Sequence, residues 1–198
     1  MLGSTLGCLL NSLRRGEHRL LCNHPAIRHV PDSLPLSSSA FLHGKGIPLR
    51  HAGPGTGDNV SPPLSWSGLP LQTVELALVI ENLDTLQKWP PDPTPLIVTG
   101  ISPSISEFAE GDLSPNQMPP SIPSFGRCAF GHTGYLGPEG FPKDLVHQFV
   151  FQLFALNIRL NWQLPPTRDT LLKAIRGHVI AKGRLDGFFS HPPGNSGI

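Results

Sequence analysis

The residue types that support catalysis or metal binding are sparse in this chain, and their spacing removes most common chemistries. Cys8, Cys22 and Cys128 are odd in number and form no Cys-x-x-Cys pair, so they read as reduced, mostly buried thiols rather than a zinc site. No Gly-x-Ser-x-Gly elbow, Walker loop or His-Glu-x-x-His motif occurs. Gly55-Thr-Gly57 is a glycine loop without a following helix, which does not support a nucleotide site. Neither a cofactor nor a metal is expected. What remains is acid–base chemistry, for which a histidine near a carboxylate is the simplest arrangement.

Any such group needs a frame to hold it. The chain has 198 residues, enough to bury a core in one domain. It is 38% hydrophobic and 15% charged, with 21 glycines and 23 prolines, which suits many short strands and irregular connections better than a helix bundle. A formal net charge of +1 gives no reason to expect nucleic acid or an anionic membrane as partner. No apolar run approaches the ~20 residues that span a bilayer.

Leu2, Leu6, Leu9, Leu10 and Leu13 recur at helical spacing, so residues 2–15 are expected to form an amphipathic helix ending at Gly16. Arg14 and Arg15 complement its dipole. The segment reads either as a helix packed on the domain, in a cytoplasmic protein, or as a mitochondrial presequence. Residues 23–36 read as a connector and residues 51–58 as a loop. Val74 to Glu81 is apolar on both faces, as in a central strand, and Leu96 to Ile101 is a second apolar run. The proline-rich stretch 89–95 cannot pair as a strand interior, and residues 102–145 are mostly irregular. Val146 to Leu156 alternates, with Phe149, Phe151 and Leu153 on one face and Gln148, Val150, Gln152 and Phe154 on the other. Thr167 caps a helix that Gly177 ends, and Val179 to Arg184 reads as a last strand. The organisation expected is an N-terminal helix and connector (1–33), one domain (34–190) and a frayed tail (191–198).

Four segments, in order and at consistent spacing, resemble the phosphatidylethanolamine-binding protein family, nearest its bacterial and fungal branch related to Raf kinase inhibitor proteins. They are Asp58-Asn-Val-Ser-Pro-Pro-Leu-Ser-Trp66 with Ser-Gly-Leu-Pro70, Glu81-Asn-Leu-Asp84, Gly134-Tyr-Leu-Gly-Pro138 with His147 to Leu156, and Gly177-His-Val-Ile-Ala-Lys-Gly-Arg-Leu-Asp-Gly187. The resemblance spans roughly residues 34–190. It implies a mostly β fold with peripheral α: a large antiparallel sheet packed on a smaller one, an N-terminal helix, and a helix near 167–176.

The family's anion-sized cavity is lined by an aspartate pair, two histidines, a glycine-proline loop and a tyrosine. Carried over by position, Asp84, His147, Tyr135, Gly137 and Pro138 match. Asn82 stands for the first aspartate, Pro95 for the first histidine, Glu139 for a loop glycine, Gly140-Phe141 for a Pro-Pro step, and Phe149 for the later tyrosine. A phosphate site needs donors and positive character. Pro95 and Phe149 remove donors and Glu139 adds a negative charge, so a larger, more apolar and less anionic ligand is expected. By resemblance, Asp84, Glu139 and His147 make an acid–base cluster, with His147 and Glu139 the catalytic candidates and Asn82, Asp84, Pro95, Tyr135, Gly137, Pro138 and Phe149 the ligand-binding set.

Each has a plainer reading. His147 can be a satisfied core or rim histidine, Asp84 a loop tie, Glu139 a solvent-facing residue, Tyr135 a packing residue, and Trp66 core. The family implies three functions. One is a small-molecule carrier or regulator. Another is an enzyme or accessory factor in a fungal secondary-metabolite pathway, with maleidride-type dimerising cyclisation of anhydride units as the specific case and a pathway enzyme as partner. The last is a kinase-regulatory protein.

Overall fold

The computed structural model describes residues 16–84, 94–114, 124–128, 131–139 and 146–191. The expected N-terminal helix at 2–15, Cys8, Trp89, the Gly140-Phe141 step and residues 192–198 lie outside them.

Among the described residues nine strands form two sheets. The small sheet joins β1 (Leu36–Ser37), β3 (Leu64–Trp66) and β6 (Glu107–Phe108). The large sheet has the order β2 (Lys45–Gly46), β9 (Val179–Ser190), β8 (Val146–Leu156), β4 (Glu75–Asn82), β5 (Leu96–Ile101) and β7 (Ser124–Phe125). Its pairs are antiparallel, as expected, except that β2 runs parallel to β9 at the edge.

All eight residues of β4 are buried, because both faces of the sheet are covered. On the inner face Leu78, Ile80, Phe149, Phe151, Leu153 and Leu185 pack against Leu36, Leu64, Trp66 and Phe108 of the small sheet. Trp66 is core, stacked edge-on to Phe108, with Nε1 donating to the Ile105 carbonyl at 3.1 Å. On the outer face Ala77, Val79, Val150 and Phe154 pack under Leu20, Leu21, Cys22, Ile27 and Val30, and under Leu171 and Ile175 of helix α1 (Arg168–Ile175). The strand alternation therefore sorts as the sequence predicts, with Phe149, Phe151 and Leu153 inward. Thr167 caps α1 reciprocally with Thr170, and the chain leaves through Gly177 at φ 76°.

Two expectations change in extent. The last strand runs six residues past Arg184, to Ser190. The segment before the domain carries two short 3-10 turns, Glu17–Arg19 and Leu21–Asn23, whose apolar residues belong to the outer core. Residues 16–31 form a strap across the outer face.

Candidate functional site

β4 ends at Asn82 where β8 begins, and register sets Asn82 opposite Phe149 and His147 opposite Phe189. His147 shares the strand parity of Phe149 and Phe151, and Asn82 that of Leu78 and Ile80, so both belong to the inner face at one end of the large sheet. Both are buried. Leu96 is opposite Ile80, which puts buried Pro95 at this same end.

Hydrogen bonding fixes the Asn82 amide. Its Oδ1 accepts the Asp84 N–H at 3.1 Å, so its NH2 faces His147 Nδ1 at 3.4 Å. A ring nitrogen that receives an N–H is the unprotonated one. The arrangement favours a neutral His147 carrying its proton on Nε2. The Asp84 carboxylate makes a different contact. Its Oδ2 accepts the backbone N–H of Gln148 at 2.7 Å and ties the exit of β4 to the start of β8.

The other residues singled out from the sequence fall on a pair of interlocked loops. Asn59, in the left-handed region at φ 53°, accepts the Gly137 N–H on Oδ1 at 2.8 Å and donates through Nδ2 to the Tyr135 carbonyl at 3.4 Å. The Tyr135 hydroxyl donates to the His51 carbonyl at 2.8 Å, and the Gly53 N–H donates to the Pro138 carbonyl at 2.9 Å. Burial pushes the Tyr135 phenol well above its usual range, so it stays a donor. The backbones approach so closely that a Cβ on Gly137 would stand 2.2 Å from the His51 carbonyl, and one on Gly53 would stand 2.7 Å from Glu139 Oε2. Glu139 thus lies over Gly53.

The structure joins Asn82, Asp84 and His147 in one hydrogen-bonded series and locks Tyr135, Gly137, Pro138 and Glu139 onto residues 51–59. Phe149 and Tyr135 belong to the same inter-sheet core. Sequence reasoning missed Asn59, His51 and Gln148. Asn59 was visible as the second residue of the Asp58-Asn-Val-Ser-Pro-Pro motif, while His51 and Gln148 had no signal beyond their neighbours. His132 is an exposed loop residue, and His178 Nδ1 bonds Asn157 Oδ1 at 3.1 Å. Among the described residues no group of three or more His, Cys, Asp or Glu could hold a metal.

A cleft of about 440 Å³ opens at the other end of β4, lined by Glu75, Gly100, Ser102, Arg159 and Trp162 among others. Its inward polar groups are spent on the fold. Glu75 accepts the N–H groups of Gly100 at 2.7 Å and Leu160 at 3.0 Å, and Trp162 Nε1 donates to Thr99 Oγ1 at 3.0 Å.

Comparison with known proteins agrees with this architecture. The profile of the family described as phosphatidylethanolamine-binding protein matches residues 37–190. A UPF0098 protein of Chlamydia muridarum is 32% identical over 158 residues, covering 79% of this chain and 98% of the relative. One from Methanothermobacter thermautotrophicus is 31% identical over 156 residues, covering 78% and 97%. A solved structure from Chlamydia trachomatis, described as a phosphatidylethanolamine-binding protein homolog, superposes with a TM-score of 0.69 at 31% identity over 81% of this chain and 99% of that one. An Escherichia coli structure described as a member of the mammalian family reaches 0.68 at 20% identity over 81% and 99%, a likeness of fold alone.

Proposed function

The chain belongs to the phosphatidylethanolamine-binding protein family, and from that premise we propose that it binds a small organic ligand of low negative charge at the Asn82 end of its large sheet. We place it in the bacterial and fungal branch of that family, with a divergent pocket. The observation that carries the ligand class is the Asn82–His147 contact. An aspartate at position 82 would favour a charged imidazolium, which suits a phosphate. The amide instead favours a neutral ring that offers one donor and no charge, and hydrogen bonds to charged groups are roughly twice as strong as neutral ones. Pro95 and Phe149 add no donors, and Glu139 brings a carboxylate to the loop.

Native mass spectrometry against inorganic phosphate, phosphoethanolamine, nucleotides and dicarboxylic or anhydride-derived acids tests this. Retention of the organic acids without the phosphates is expected. Asn82→Asp should raise phosphate affinity by about tenfold, the scale of one charge-assisted hydrogen bond. Tight phosphoethanolamine binding by the unaltered protein would overturn the proposal and return the chain to headgroup binding.

A narrower reading makes the protein an enzyme or accessory factor in a secondary-metabolite pathway, with maleidride-type dimerising cyclisation as the specific case. Its support is the replacement of phosphate-binding features at Asn82, Pro95, Glu139 and Phe149. The pocket would gain rate by holding two reactive units together. In the tautomer favoured by Asn82, His147 would donate a proton, and Glu139 would be the candidate base. His147→Ala and Glu139→Gln should then sharply lower product formation. Unchanged product in both variants leaves a non-catalytic binding or kinase-regulatory role.

A further inference from the structure

The strap covers a face that carries buried charge. Glu81 is fully buried, with Oε2 accepting from the Leu21 N–H at 2.8 Å and from Gln152 at 2.6 Å, and Oε1 paired to Arg168 Nε at 2.5 Å. Lys182 donates to the Cys22 carbonyl at 3.0 Å. Arg184 holds Asp186 and, in a two-pronged contact at 2.7 and 2.8 Å, Glu17 of the strap. Without the strap this face holds Arg168, Lys182 and Arg184 beside the carboxylates of Glu81 and Asp186, with the exposed Asp32 3.7 Å from Lys182. Glu17 gives Arg184 a second carboxylate, and the strap carbonyls of Arg19 and Cys22 take further cationic donors. Burial disfavours the Arg184 charge, but its bonds to Glu17 and Asp186 outweigh that cost and raise its pKa.

From Glu17 an unbroken series of hydrogen bonds runs to the candidate site. Arg184 binds Glu17 and Asp186. Asp186 Oδ2 accepts Gln148 Nε2 at 2.9 Å. The Gln148 N–H donates to Asp84, the Asp84 N–H to Asn82, and the Asn82 amide faces His147. Gln148 Oε1 is buried with no partner among the described residues, so its side chain depends on Asp186 for position.

We infer that Glu17 and Arg184 are positioning residues of the candidate site: docking of the strap sets Gln148, and through Asp84 and Asn82 the orientation of the His147 ring. The inference rests on the site reading above, but the series is testable without any ligand. Coupling of this kind requires an element with two states, and opening of the strap is what the test measures.

The test compares the full-length protein with Glu17→Ala, Glu17→Asp and the exposed control Glu107→Gln. Strap docking is read by iodoacetamide alkylation of Cys22, followed by peptide mass spectrometry. Cys22 is a buried residue of the strap itself, and burial, the largest influence, pushes its thiol pKa up to about 12. The site is read by amide exchange of Gln148 and by ring nitrogen shifts of His147. In Glu17→Ala, Cys22 alkylation and Gln148 exchange should both accelerate about tenfold or more, as expected when a local opening is made easier, and the His147 ring signals should move. Glu17→Asp should restore part of each, and the control none. Faster Cys22 alkylation with unchanged Gln148 and His147 signals would overturn the inference, as would no change in any of the three. Should Glu17→Ala not fold, Glu17→Gln, which keeps the shape and removes the charge, takes its place with the same criteria. If these signals move while no organic acid binds, the ligand reading fails and the positioning role stands.

Discussion

The two faces of the large sheet solve the burial of polar groups in opposite ways. On the outer face, Glu81, Lys182 and Asp186 are buried and Arg184 is partly buried, and each has a charged or backbone partner. At the Asn82 end of the inner face the Asn82–His147, Tyr135–His51 and Asn59–Gly137 hydrogen bonds join amide, imidazole, hydroxyl and backbone groups. Removing one partner of a buried ion pair leaves an uncompensated charge, whereas removing one neutral hydrogen bond costs little more than the bond. The outer face is therefore built to resist opening. The inner end can exchange one set of neutral contacts for a ligand's at small cost.

The first way to break this contrast is Glu81→Ala. It strands Arg168, Gln152 and the Leu21 N–H together, and a loss of about 3–5 kcal/mol is expected in urea denaturation. Gly137→Ala comes next. Its Cβ must push against the His51 carbonyl, which is backbone and cannot swing aside, so about 1–3 kcal/mol should be lost, together with ligand binding. Tyr135→Phe removes one neutral bond and should cost about 1 kcal/mol. If Tyr135→Phe proves costlier than Glu81→Ala, the contrast between the faces is wrong.

The smallest effect is a pH slope. Glu75 has the strand parity of Ala77 and Glu81 but lies at the other end of β4, and burial, the dominant influence, raises its pKa against the opposing N–H groups of Leu160 and Gly100. The folded state therefore holds this proton more tightly than the unfolded chain. The contribution is full below the unfolded value and is lost as pH rises through the folded one. Thermal melts should show this share of stability falling as pH climbs above the unfolded carboxyl range, and Glu75→Gln should flatten that part of the slope.

The inner face was legible because hydrophobic alternation encodes it. Phe149, Phe151 and Leu153 needed only a period of two, and Thr167 with Gly177 marked the helix ends by their own chemistry. The short strands β1, β2, β3, β6 and β7 carry too few residues for a period and exist through their pairings. The end of β9 was hidden because Asp186 and Gly187 are poor strand formers held by partners distant in sequence. The strap was hidden for a related reason. Glu17, Lys182 and Arg184 look like ordinary surface charges until the segment that covers them is placed. In the candidate site the family motifs marked Asn82, Asp84 and His147. The amide orientation that decides the ring's proton depends on a backbone N–H two residues away, which no motif displays.

The strap also constrains how the chain can reach its native state. Glu17 meets Arg184 across 167 positions of sequence, and the Cys22 N–H meets Gln152 across 130. The β9 strand that supplies Arg184 also pairs with β8 and β2. During synthesis the early residues must wait for nearly the whole domain before their partners exist. Until β9 emerges, β8 has an open edge and Glu17 has no Arg184 to bind. A nascent chain stopped before residue 179 should leave the strap and β8 protease-sensitive, and completion of the last strand should bring protection to both at once.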